Sequence, residues 1–132
     1  MPETQTVIVE REFSCPPEKL WRALTTPHLL AEWLMQNDFQ PKVGHHFKFT
    51  ADWGSVDCEV LVVKPLEELS CTWVAMGVNT ITTFILTPTL KGTHLRMEQA
   101  GFREDQTYAF EGAKYGWQNF LNQLESTVSK MN

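Results

Sequence analysis

Positive charge is scarce in this sequence. Lysine and arginine total 11 against 16 aspartates and glutamates, for a net charge of -5 and a pI near 5.3. A phosphate backbone or an anionic membrane surface calls for a basic stripe, and without one no nucleic-acid partner is expected. Long apolar runs are also missing. Nothing approaches the ~20 residues that span a bilayer, so no membrane insertion is expected. The opening MPETQTVIVEREF has no basic segment leading into an apolar one, so no signal peptide is read and the default location is the cytoplasm. Cys15, Cys58 and Cys71 form neither a CxxC pair nor a metal-finger spacing. They read as reduced thiols, with Cys58 and Cys71 buried in strands. GxSxG, HxH, HExxH and glycine-rich phosphate loops are all absent. No metal, no cofactor and no catalytic residue is therefore assigned.

What the chain does contain is a clear succession of periods. At 132 residues it is long enough for a core, and no linker or repeat divides it, so one domain over residues 1–132 is expected. TVIVEREF (residues 6–13) alternates and is rich in β-branched residues, the pattern of a strand. SCPPEKLWRALTTP shifts to a helical period, with Leu20, Trp21 and Leu24 on one face and Pro27 as its stop. HLLAEWLM reads as a second short helix, with Pro27 at its first turn and Asn37 and Asp38 at its exit. HHFKFTA, SVDCEVLVVK, LSCTWVA, NTITTFIL and THLRMEQA follow as period-two segments joined by hairpin-length turns. From Phe110 to Val128 apolar residues recur at helical spacing, the strongest helix in the sequence. The expected fold class is α+β: a six-stranded, largely antiparallel sheet covered by a long carboxy-terminal helix, with two short helices between strands 1 and 2. Space between such a sheet and a single helix is where small ligands go.

The stretch GHHFKF (residues 44–49) poses the sharpest local question. Strand alternation sends His45, Phe47 and Phe49 to one face and His46 and Lys48 to the other. Neighbouring histidines that point opposite ways cannot chelate one metal as a pair. The phenylalanine face is taken as the inner one. His45 then has two readings: a polar handle that orients a ligand or moves a proton, or a partly exposed histidine beside a turn. The same alternation proposes the other cavity walls. Cys58 and Val60 stand on one strand, Cys71 and Trp73 on the next, then Thr82 and Phe84, then Met97 and Gln99. Trp117 and Leu121 face them from the helix, with Tyr115 at its margin. For each aromatic the competing reading is ordinary core packing. Register in NTITTFIL stays open, because both of its faces are partly apolar. Glu59 and Glu98 are sent outward and make poor general bases. Gly116 requires a reason, since glycine inside a helix costs ~1 kcal/mol relative to alanine. Close approach to the sheet or room for a ligand would supply one; Gly112 either shares that reason or marks the helix start.

Several strings, taken in order, resemble the START-like superfamily, also called SRPBCC, helix-grip or Bet v 1-like. They are REFSCPPEKLWRALTTPHLLAEWL, VGHHFKF, DCEVLVVKPLEELSCTWV, KGTHLRMEQAGF and GWQNFLNQLESTV, and together they run through nearly the whole chain. Within the superfamily the chain is most similar to the family of the activator of heat-shock-protein-90 ATPase (AHSA1-like). It departs from many relatives at EWLMQNDF, where they carry two tryptophans and a Gly-Pro. A single domain is expected, without the separate chaperone-binding region of eukaryotic co-chaperones. The resemblance implies a helix-grip fold and three functional readings. The leading one is non-catalytic binding of an apolar or aromatic small molecule, lipid or polyketide-like, between sheet and helix. The second is a protein–protein role that stimulates a heat-shock ATPase. The third is a cyclase, hydrolase or self-sacrificing resistance activity in the same cavity.

Overall fold

The computed structural model describes residues 4–131. β1 (Thr4–Phe13) leads into α1 (Pro17–Thr25) and α2 (Pro27–Trp33). Next come β2 (Gln36–Asn37), β3 (His46–Ala51), β4 (Gly54–Lys64), β5 (Glu68–Ala75), β6 (Val78–Pro88) and β7 (Thr93–Arg103). A short 3-10 turn at Glu104–Gln106 then delivers the chain into α3 (Thr107–Lys130). The strands form one antiparallel sheet in the order β1-β7-β6-β5-β4-β3-β2. β1 and β2 thus lie at opposite edges, and α1 and α2 occupy the crossing between them. Among the described residues no helix is long and apolar enough to cross a membrane.

Proline sets both short helices. Pro17 and Pro27 each sit in the first turn, where a missing N–H costs nothing and the fixed φ suits the helix. The helices are tied together by Trp33, which is buried and donates its indole N–H to the Ala23 carbonyl at 2.9 Å. Its ring meets Phe84 of β6 edge-on, with centroids 6.2 Å apart, so the pair also closes onto the sheet.

Six strands were expected and there are seven. The extra one, β2, pairs only Gln36 with Thr50 and Asn37 with Phe49. Two residues carry no alternation to read. What fixes this segment is side-chain bonding: Asn37 donates to the Pro27 and Met35 carbonyls at 3.1 and 3.0 Å and accepts from the Phe39 N–H at 3.1 Å. Beyond β2, the carboxylate of Asp38 accepts the backbone N–H of Lys48 at 3.0 Å.

The sheet's inner face forms the core. Phe47 and Phe49 of β3 are buried, while His46 and Lys48 face outward toward Glu59 and Asp57 of β4. The ambiguous strand resolves with Thr80, Thr82, Phe84 and Leu86 inside. Its outward Ile81 is 42% exposed, which is why the pattern was two-sided.

Gly92 carries the one glycine requirement that backbone contact alone explains. A Cβ there would lie 2.0 Å from the Phe13 carbonyl oxygen and 2.9 Å from the Cys15 nitrogen. The adjacent Thr93 hydroxyl donates to the Cys15 carbonyl at 2.8 Å, holding the exit of β1 against the start of β7. Gly92→Ala is expected to lower stability by about 1–3 kcal/mol through overpacking, read from urea unfolding midpoints; an unchanged midpoint would mean that this junction yields.

Candidate functional site

Two halves of α3 meet the sheet differently. Along the carboxy-terminal half, Trp117, Leu121, Leu124 and Val128 are buried against it. Along the amino-terminal half, Ala109, Gly112, Ala113 and Gly116 recur at i, i+3, i+4 and i+7 and so share one face. These short side chains do not reach the sheet. A cavity of about 600 Å³ remains between them, within the usual range for small-molecule pockets. Its sheet wall is Trp73, Ala75, Val78, Gln99 and Phe102, and Trp117 and Phe120 close the end toward the core.

The mouth is built from turns. Trp53 lies in the β3–β4 turn, Met76 in the β5–β6 turn and Tyr108 in the first turn of α3, and all three line the cavity while largely exposed. Met76 is also conformationally costly. Both Met76 (φ 52°) and Gly77 (φ 79°) are left-handed, as a two-residue hairpin turn of the mirror-image type requires. Glycine and asparagine are at home there; a methionine pays roughly 1–2 kcal/mol for the same conformation.

One polar relay crosses the cavity's inner wall. The Trp117 indole N–H donates to the Gln99 side-chain oxygen at 2.7 Å, and the Gln99 amide donates to the Thr80 hydroxyl at 2.9 Å. Thr80 in turn donates to the Trp73 carbonyl at 2.8 Å. An indole nitrogen can only donate, so the amide of Gln99 has a fixed orientation. These bonds use two of its four hydrogen-bonding positions. The remaining N–H and lone pair belong to a side chain that is 3% exposed and lines the cavity.

Of the residues that the sequence put forward, Trp73, Gln99 and Trp117 line this cavity. Phe47, Phe49, Cys71, Thr82 and Phe84 instead surround a small void of about 20 Å³ deeper in the core, with Trp73 on its boundary as well. Cys58, Val60, Met97 and Leu121 are buried and line neither space. His45 also lies outside both. Its Nε2–H donates to the Asp38 carbonyl at 2.9 Å, since a carbonyl only accepts, and its ring stacks on Phe47 with centroids 6.0 Å apart. It braces the loop before β3. Tyr115 is corrected outright: it is 74% exposed. Standing two residues before Trp117 places it about 200° around the helix, away from the sheet.

The buried thiols offer no nucleophile. Burial pushes Cys71 up to about 12, and burial, then Cys71 and Asp57, pushes Cys58 further still, so both stay protonated at neutral pH. Among the described residues, no cluster of three histidine, cysteine, aspartate or glutamate side chains is placed to hold a metal ion.

A family model described as "Activator of Hsp90 ATPase homolog 1-like protein" matches residues 14–129. The chain belongs to this family. Among solved structures, a crystal structure of a protein from Mesorhizobium loti is 55% identical, with a TM-score of 0.94 covering 97% of this chain and 99% of that one. A solution structure of a protein from Bacillus halodurans is 27% identical, with a TM-score of 0.86 over 97% of this chain and 99% of that one. A protein from the dynemicin biosynthetic locus shares the fold at 22% identity, with a TM-score of 0.86 over 95% of this chain and 47% of that one. No curated protein matches the sequence.

In this AHSA1-like chain, much of the cavity escaped strand alternation because it is made of turn and helix residues, Trp53, Met76, Tyr108, Ala109, Gly112 and Ala113, and of Phe102, which lies in β7 past the end of the segment THLRMEQA. One signal could have found the mouth. Large apolar residues in tight turns, as in ADWGS and AMGVN, have no packing reason to be there. Met76→Asn is expected to raise stability by up to ~1 kcal/mol, read from a higher unfolding midpoint, because asparagine tolerates the left-handed conformation. It should also weaken uptake of anilinonaphthalenesulfonate, followed by dye fluorescence; unchanged uptake would show that the methionine does not cover the mouth.

Proposed function

We propose that this family member binds an apolar or aromatic small molecule in the cavity between α3 and the sheet. The observation that carries the reading is the pair of glycines inside α3. A Cβ built at Gly112 or Gly116 would meet nothing within 4 Å, so neither glycine serves a close approach to the sheet. Each nevertheless costs the helix ~1 kcal/mol relative to alanine, and both face the cavity. Empty space maintained at that cost is accounted for by an occupant.

The lining says what kind. Indole and phenyl rings stand on the sheet side, a bare stretch of helix on the other, and Gln99 is the buried polar group between them. Affinity would come mainly from burying ligand surface, at about 25 cal/mol per Å² of apolar area. Gln99 would select orientation with its unused N–H and lone pair. Among the described residues lining the cavity there is no aspartate, glutamate, histidine, lysine, arginine or cysteine. That composition supports binding without acid–base or nucleophilic chemistry.

A panel of lipids, flavonoids and polyketide-like compounds, tested by thermal shift and by the fluorescence of Trp73 and Trp117, is expected to yield stabilising ligands. A compound at 100 times its Kd should add about 2.7 kcal/mol; no shift from any of them would sink the proposal. Gly116→Ala supplies a second check with opposite signs. It should stabilise the unliganded protein by up to ~1 kcal/mol and weaken ligand binding by narrowing the cavity. Loss of stability on that substitution would show that the glycine serves packing instead.

A further inference from the structure

The void behind Trp73 contains an anomaly. Thr82 is 2% exposed, and its hydroxyl is the one buried side-chain polar atom among the described residues without a hydrogen-bond partner. An unsatisfied buried hydroxyl is destabilising, and a valine of the same shape would avoid the penalty. The void that Thr82 lines measures about 20 Å³, room for one water-sized group. A water is a poor solution there. Buried waters are held by about three hydrogen bonds, and apart from Thr82 the void is lined by apolar side chains and the Cys71 thiol.

Sheet register connects this void to the open cavity. Cys71 pairs with Thr82, and Thr82 pairs with Gln99, so the three side chains form one rung across β5, β6 and β7. Gln99 lines the cavity, whereas Thr82 and Cys71 line the void. Among the described residues, only Trp73 belongs to the walls of both. Its ring packs on Phe49 and on Trp117, with centroids 5.3 Å away in each case. The buried indoles of Trp33 and Trp117 are anchored through their N–H groups, to Ala23 and Gln99 respectively, whereas Trp73 is only partly buried. Ring packing alone positions the Trp73 side chain among the described residues, so it is the indole best able to turn aside.

We infer that the void is the inner end of the binding site, where an oxygen substituent on an aromatic ligand passes Trp73 and accepts the hydrogen bond of Thr82. The ligand class is an aromatic ring bearing a carbonyl or ether oxygen. Its ring fills the open cavity beside Gln99, and its oxygen supplies the partner that Thr82 lacks. This rests on the cavity being a ligand site and adds the chemistry recognised at its inner end.

A matched pair of probes tests it: acetylnaphthalene and its isopropenyl analogue, in which a methylene replaces the carbonyl oxygen. Dissociation constants would be measured by tryptophan fluorescence and calorimetry for the wild-type chain, Thr82→Val and Thr82→Ser. The wild type should prefer the ketone by about five- to tenfold, the reach of one hydrogen bond to a buried partner. Thr82→Val should bind both compounds equally and unfold at a higher temperature than the wild type. Thr82→Ser, which keeps the hydroxyl, should retain the preference. Equal binding of the two probes by the wild type, or a ketone preference surviving in Thr82→Val, overturns the inner subsite and leaves the cavity reading standing. Binding of neither probe to the wild type overturns the subsite, and the cavity reading is then decided by the wider ligand panel. A Thr82→Val protein less stable than wild type would show that the hydroxyl already has a partner, which also overturns the subsite.

Discussion

The bond from Trp117 to Gln99 is the constraint on which the rest of the molecule turns. It is the first link of a directed relay that continues through Thr80 to the backbone at Trp73. A helix lying on a sheet by apolar contact alone has no preferred rotation beyond what side-chain shape dictates. Here one buried indole N–H must find an acceptor, and it has one on β7. That requirement fixes how α3 is turned, and hence which of its faces looks at the sheet. With Trp117 fixed, Leu121, Leu124 and Val128 fall into the core on one side of it, and the alanines and glycines open a space on the other.

The rows of aromatic rings follow from the same fixed point. Phe47 contacts Phe49, Phe49 contacts Trp73, and Trp73 contacts Trp117, each pair with centroids 5.3 Å apart. Tilted and edge-on pairs of this kind add stabilisation beyond their buried area. They also make core and cavity one continuous system, in which no gap separates residues that hold the fold from residues that would meet a ligand. Trp73 belongs to both. The sequence could place it on the inner face without revealing that it is a boundary.

Strand alternation made most of the inner face legible residue by residue: the positions nominated on β3 through β7 are buried as the period-two pattern implied, except Trp73, which is only partly buried. What it could not separate was packed core from open cavity, since both are apolar and inward. That distinction depends on how far α3 stands from the sheet, and the informative residues are small ones. Gly116 carried the signal, and its two explanations divide only once the space around its missing Cβ is known. His45 shows the opposite difficulty. Its face was read from alternation, but it precedes the first paired residue of β3 and is captured by the Asp38 carbonyl, a contact between loop residues with no periodic signature. Tyr115 failed for a simpler reason, because a helix margin two residues from a buried tryptophan is already on the far side. β2 was too short to have a pattern at all.

Asp38 has a consequence for how this molecule meets its own copies. An edge strand displays unpaired backbone groups, a template on which another chain can add itself. β2 covers β3 only at Phe49 and Thr50, leaving the earlier part of β3 without a strand on the side away from β4. The Asp38 carboxylate takes up the Lys48 N–H at that position, a site where an intruding strand would need to bond. The lysine itself adds a charge to the same edge. One acidic side chain and one basic one thus discourage edge-to-edge sheet growth where the pattern of strands alone would invite it.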